Sequence, residues 1–241
     1  MDWIDRGYVL SARKHGENAL IVGLLTVEHG RHAGLVRGGA GRRARGLYQP
    51  GNLVRATWRA RLPEHLGSYS CEMERAHAAT LMQDKLPLLA LASATALLDR
   101  ALPERAPFLD LFTGFGALIM ALGQPGWETT YVIWERDLLA ELGFGLDLES
   151  CAATGDTEQL IWVSPKTGRA VSQGAGEPWR DRLLPLPAFL LPDGGQRSGA
   201  PSEIAEGLRL TGHFLSTHVM GGAPDALPAA RAQLIEGLTR N

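Results

Sequence analysis

Cysteine is nearly missing from this chain of 241 residues, and the two that occur, Cys71 and Cys151, stand far apart with no CxxC partner. A disulfide framework and a complete cysteine zinc site are thereby excluded, which leaves buried free thiols as the expectation. Long apolar runs are missing too. The most apolar windows, LPLLALASATALL and FGALIMALG, fall short of the roughly 18 to 20 residues that span a bilayer and fit core helices better. The start, MDWIDR, carries two acids in place of a basic leader, so a cytoplasmic protein is expected. No HExxH, GxGxxG or GK[ST] occurs, which removes the usual zinc-protease, dinucleotide and P-loop signatures.

The most informative absence is local. Between His29 and Pro63 there is no Asp, Glu or Lys, yet eight arginines are present. The net charge of -2 hides this, because residues 1–80 hold twelve basic and seven acidic groups, and residues 81–241 hold twelve and nineteen. The front is therefore +5 and the remainder -7. Such asymmetry predicts an anionic partner for the front, nucleic acid before a membrane surface.

Residues 1–80 read as five strands: YVLSAR, NALIVGLLTV, HAGLVR, NLVRATWRARL and SYSCEMER alternate or run apolar, with Gly and Pro turns between them. Five short strands is the count of an OB barrel. From Asp84 the period becomes helical. Helices are predicted at about 86–102, from Pro107 to Gly123, at 128–142, at 202–220 and at 228–239. The stripe Phe108, Phe112 and Phe115 reads as core. Residues 148–200 form an irregular Gly/Pro/Ser-rich insert with short strand pieces, LIWVS and AVS. The expectation is an α+β protein: an OB-fold barrel (1–80) packed on a helical domain (81–147 and 201–241), with the insert at 148–200.

On the strand 53–62 a two-residue period puts Arg55, Thr57, Arg59 and Arg61 on one face, and Val54, Ala56, Trp58, Ala60 and Leu62 on the other. Trp58 is then a packing residue, and Tyr48, beside Arg42, Arg43 and Arg45, is the expected base-stacking aromatic. Arg31 and Arg37 extend the cationic set, and Arg13 and Lys14 add to the same field. Planar guanidinium suits bidentate phosphate contact and stacking on bases, whereas lysine would serve for solubility.

Other chemistries are poorly supported. Ser11 to Lys14 matches SxxK and Lys166 to Gly168 matches KTG, but the third element of the penicillin-recognising enzymes is missing. His29 with His32, and His213 with His218, lack an acidic partner at metal spacing. Glu72 and Glu74 share a strand face that reads as a solvated edge rather than an acid-base pair. An OB-fold RNA-binding or ribosome-associated factor remains the alternative, since phosphate contact does not separate RNA from DNA.

The segments RGYVLSARKHGENALIVGLLTVEHGRHAGLVRGG and QPGNLVRATWRARL resemble the N-terminal domain of the bacterial RecO family, and the similarity continues through LGFGLDLESCAATG, SPKTGRAVS and LLPLPAFL. The resemblance implies an OB-fold, a helical domain, and an insert that in some members is a four-cysteine zinc site. It implies a recombination mediator without enzymatic activity that binds single- and double-stranded DNA and anneals complementary strands. It also implies loading of RecA onto DNA coated with single-stranded DNA-binding protein (SSB), with RecR and sometimes RecF as partners, and a groove in the helical part for the SSB C-terminal tail. Cys151 stands where a first zinc ligand would be, but Thr154 takes the second position, so no cofactor is expected. The residues expected to meet DNA are Arg13, Lys14, Arg31, Arg37, Arg42, Arg43, Arg45, Tyr48, Arg55, Arg59 and Arg61.

Overall fold

A computed structural model describes residues 1–192, 199–223 and 226–240, without the side chains of Arg42 and Arg43. The chain divides into two compact units, Met1–Gly123 and Gln124–Asn241.

In the first unit, strands β1 (Asp2–His15), β2 (Ala19–Thr26), β3 (Gly30–Val36), β4 (Leu53–Arg59) and β5 (Ser68–Arg75) close into a barrel of order β1-β2-β3-β5-β4. All neighbours are antiparallel except β3 and β5, which meet in parallel at Leu35 and Ser68. This is the five-stranded OB arrangement. Val9, Leu20, Val22, Leu24, Val54, Ala56, Trp58 and Tyr69 fill its interior. The β2 run is apolar throughout because both of its faces are covered. Leu20, Val22 and Leu24 point into the barrel, while Leu25 is buried on the outside.

The outside of β1 is covered by helices of the same unit. After a short α1 (Arg42–Leu47) and α2 (His77–Leu81) come α3 (Lys85–Ala101) and α4 (Leu109–Ala121). Tyr8 packs on Phe112 and Phe115, with ring centroids 4.9 and 5.2 Å away; of the expected core stripe Phe115 is buried, while Phe112 and Phe108, the latter just before α4, are half-buried. Asn52, 1% exposed, ties α1 to α2: its Nδ2 donates to Gly46 O and Leu47 O, and its Oδ1 accepts from the Ala78 amide. Those bonds satisfy carbonyls at the end of α1 that the helix cannot satisfy itself.

A polar group also sits inside the aromatic end of the barrel. His32 lies between Trp3, Trp58 and Tyr69, and its Nδ1 and the Tyr69 hydroxyl are hydrogen-bonded at 3.0 Å. Burial, reinforced by the charge of Arg105, pushes the imidazole down to about 4 from 6.5. The unfolded chain therefore takes up this proton near pH 6.5, and the folded chain only near 4. Stability is complete above pH 6.5 and drains away below it, by about 3 kcal/mol at the acid end. His77, lowered by burial and Arg75, acts in the same direction. Thermal unfolding is expected at lower temperature at pH 5 than at pH 7, with a shallower dependence in His32→Gln. An identical pH dependence in that variant would refute the assignment.

The second unit contains α5 (Trp127–Glu141), a three-stranded sheet of β6 (Leu160–Val163), β7 (Ala170–Ser172) and β8 (Leu184–Pro185), a short α6 (Gln173–Gly176), α7 (Pro201–Phe214) and α8 (Ala229–Thr239). A π-helical turn, Leu215–Val219, continues α7, so the segment expected as one helix to residue 220 is a helix with a widened last turn. Helix α7 starts with Glu203 accepting from the Ala200 amide at 2.9 Å. One buried ion pair links three helices. Arg231 of α8 donates through Nε and Nη2 to the Glu135 carboxylate of α5, at 2.8 Å each, and to Leu208 O of α7 at 2.6 Å. The Thr211 hydroxyl donates to the same carboxylate at 2.5 Å.

Candidate nucleic-acid interface

Three loops gather at one end of the barrel. The register aligns Lys14 of β1 with Leu20 of β2, and Leu20 with Val36 of β3. The Ala40 amide donates to Asn18 O, joining the β1–β2 loop to the segment after β3. The Leu35 amide donates to Gly67 O, joining the β4–β5 loop (60–67) to the same end of β3. Gly38 and Gly67, with φ of +69° and +63°, make the turns these close approaches require. A Cβ on Gly67 would collide with the Trp58 indole.

Lys14 and Arg37 are exposed where these strands end, Arg45 is exposed on α1, and Arg61 is exposed in the β4–β5 loop. Among the described residues none of the four has a hydrogen-bonded or ion-paired side-chain partner. The only carboxylates in the same loops are Glu17 and Glu64. Arg42 and Arg43 belong to α1 here, but their side chains lie outside the described ones. The Gly-rich stretch between β3 and β4, one of the turns expected between strands, is thus partly a helix. Ala44, Leu47 and Tyr48 pack it onto the barrel core.

The other expected contacts fare differently. Tyr48 is 5% exposed and part of the barrel core, so it cannot stack on a base; its apolar ring anchors α1, and burial pushes its hydroxyl well above the usual tyrosine range. Arg13 is tied to Asp99 of α3 at 2.9 Å. Arg31, half-buried, donates to Leu102 O at 2.7 Å and pairs with Glu104 at 3.4 Å, which makes it a brace rather than a free cation. On β4 the alternation holds as far as Arg59: Val54, Ala56 and Trp58 are buried, and Arg55 and Arg59 are exposed. The strand stops there, leaving Leu62 exposed and Arg61 in a loop.

The outer face of β4 is not uniformly cationic. Arg59 stands opposite Asp2, and Arg55 stands between Arg6 and Glu72. Arg6 in turn donates to Glu74 at 2.8 Å. Acids on neighbouring strands were invisible to a reading of one strand at a time. Neither Arg55 nor Arg59 forms an ion pair among the described residues, but acids lie on the adjoining strands, whereas the loops that carry Arg37 and Arg61 hold only Glu64. Asn52 was also missed, although an Asn directly after Pro50-Gly51 is a signal for a local backbone bond.

The remaining motifs find structural places. Ser11 and Lys14 lie on strand β1, and Lys166–Gly168 forms the β6–β7 turn. His29 accompanies Asp5 at 2.9 Å and stacks on Trp3, while His218 stacks on Phe144 and Phe214. Cys151 is buried, and its Sγ accepts from the amide and hydroxyl of Ser172 at 3.2 and 3.3 Å. Burial raises the thiol, but these bonds, with others from Thr154 and the Ala153 amide, outweigh it and bring it to about 6. One sulfur among hydroxyls does not fit structural zinc, which takes four thiolate or imidazole ligands. Among the described residues no three His, Cys, Asp or Glu side chains converge on a metal position, and no helix is long and apolar enough to cross a membrane.

Comparison with known proteins covers both units. A family model described as Recombination protein O N terminal matches residues 1–75, and one described as Recombination protein O C terminal matches residues 82–225. The DNA repair protein RecO of Rhodospirillum centenum is 54% identical over 238 residues, covering 98% of this chain and 94% of that protein. The protein of the same name from Rhodospirillum rubrum is 49% identical, covering 100% of this chain and 97% of its own. That of Cereibacter sphaeroides is also 49% identical, at 100% and 99%.

Proposed function

The chain belongs to the RecO family of DNA repair proteins, and from that membership we propose that it is a recombination mediator whose barrel binds single- and double-stranded DNA without catalysing a reaction. Complementary strands would be annealed on its cationic end, and RecA loaded onto SSB-coated DNA together with RecR, with RecF as a further partner. In this reading residues 1–80 carry the nucleic acid, the helical segments 81–147 and 201–241 carry protein contacts including the SSB tail, and residues 148–200 are structural. Work at the nucleoid follows from the substrate.

The observation that supports it best is the group of unpaired cations at the loop end of the barrel. Annealing requires phosphate repulsion between two strands to be cancelled while the base edges stay free. Guanidinium groups on loops do this without reading sequence. With Lys14, Arg37, Arg45 and Arg61 each meeting one phosphate, the log-log salt slope for single-stranded DNA is expected near -3, from about -0.7 per phosphate. Anisotropy titrations of a labelled oligonucleotide between low and moderate salt measure it, and a flat response would remove the electrostatic account. RNA of the same sequence, used as competitor, separates this reading from an RNA-binding one. Annealing on SSB-coated DNA, with and without the SSB tail, tests the partner.

A further inference from the structure

The connector between α3 and α4 holds Arg105, one of two non-glycine residues with positive φ among those described, at +63°. A left-handed backbone is strained at any residue with a Cβ, so something else must hold it there. The connector is docked flush on the barrel. The Arg105 amide donates to Arg31 O at 2.8 Å, and Glu104 pairs with the Arg31 side chain. Ala106 sits so close to Gly30 that a Cβ on that glycine would collide with its carbonyl.

From this position the Arg105 side chain reaches the β4–β5 loop. Its Nη2 donates to His65 O at 3.2 Å. The loop is anchored at its beginning by the exchange between Ala60 and the N-terminal residue, and at its end by Trp58 Nε1 on Leu66 O and the Leu35 amide on Gly67 O. Residues 61–65 between those anchors are exposed. Among the described residues, Arg105 is what grips their backbone from outside the loop. Arg61, an exposed cation with no side-chain partner among the described residues, is on this span.

We propose that Arg105 is a positioning residue of the nucleic-acid interface: the docked connector holds it left-handed so that its guanidinium ties down the β4–β5 loop and presents Arg61. The inference rests on the nucleic-acid reading above and adds a residue outside the barrel to it. Only glycine would relieve this backbone, and glycine would release the loop.

Arg105→Gly separates the two effects. Glycine adopts this backbone freely and keeps the amide bond to Arg31, so Tm is expected to stay level or rise. Hydrogen exchange at the amides of Arg61, Leu62, Glu64 and His65 is expected to accelerate about tenfold in the free protein, and affinity for a single-stranded oligonucleotide to fall about fivefold. Arg105→Lys, which keeps a donor of similar reach, restores part of both. Because Arg105 acts through Arg61, adding Arg105→Gly to Arg61→Ala is expected to cause no further loss. A lower Tm in Arg105→Gly would mark a merely structural brace and overturn the proposal. Unchanged exchange at 61–65, additive losses in the double variant, or normal binding by Arg61→Ala would each do the same. Failure of the wild-type protein to bind in a salt-dependent way would instead refute the function, and the exchange experiment, made without nucleic acid, would still decide the clamp.

Discussion

Reversing Arg37, Arg45 and Arg61 together to glutamate is expected to lower affinity for single-stranded DNA by at least two orders of magnitude at 0.1 M salt. Release of counterions at a slope of about -0.7 per phosphate makes each contact worth about fivefold at that concentration, so three contacts amount to about a hundredfold before any repulsion is added. The salt slope should become shallower by about 2. The fold should survive, because these side chains are exposed and make no partner among the described residues, and such surface changes usually stay within about 0.5 kcal/mol. The same reversal at Arg13 and Arg31 is a poor control, since both are tied to α3 and the segment that follows it. Arg55→Glu is a better one: it is exposed but lies beside Glu72 on a face of mixed charge, and a much smaller loss is expected. A triple variant that still anneals complementary strands at the wild-type rate would move the interface off the loop end of the barrel.

Replacing Glu135 by alanine is expected to be the most damaging single change in the second unit, at about 3 to 5 kcal/mol. Arg231 is 3% exposed and Glu135 is fully buried, so removing the carboxylate strands a guanidinium away from water. The stranded charge outweighs the small cavity left by the shorter side chain. For that reason Glu135→Ala combined with Arg231→Met should recover most of the stability, because replacing a buried pair by apolar groups is often neutral or better. Thermal or denaturant unfolding of the three variants decides it. A loss below about 1 kcal/mol in Glu135→Ala, or a double variant no better than the single, would show that the charge of Arg231 is satisfied elsewhere. The consequence for the fold concerns α8, of which only Arg231 and Leu234 are buried. Its attachment to α5 and α7 depends heavily on this one pair.

Periodicity was a good guide wherever one side chain property repeats along one element. The five strands of the barrel, Trp58 as a packing residue, and the helices at 85–101, 109–121 and 127–141 follow from alternation or helical stripes in the residues themselves. Helix α1 escaped because RRARGL has no apolar stripe. It is a helix because Ala44, Leu47 and Tyr48 find the open end of a barrel to pack against. The three-stranded sheet of the insert was legible only as the fragments LIWVS and AVS, since strands of two to four residues carry too few periods to show.

The sequence by itself determined the composition of the interface: a segment of arginines without acids, on a small β barrel, in a chain whose remainder is acidic. Which arginines are free was decided only by the tertiary structure. Strand pairing sets Arg59 opposite Asp2 and Arg55 beside Glu72, helix α3 captures Arg13, and the connector after it captures Arg31. Lys14 near the end of β1, Arg37 after β3, Arg45 on α1 and Arg61 in the β4–β5 loop have no side-chain partner among the described residues. The physical reason is that charge is additive along a chain and can be summed from letters, whereas neutralisation acts over a few ångströms and depends on residues that folding brings together from far away in sequence.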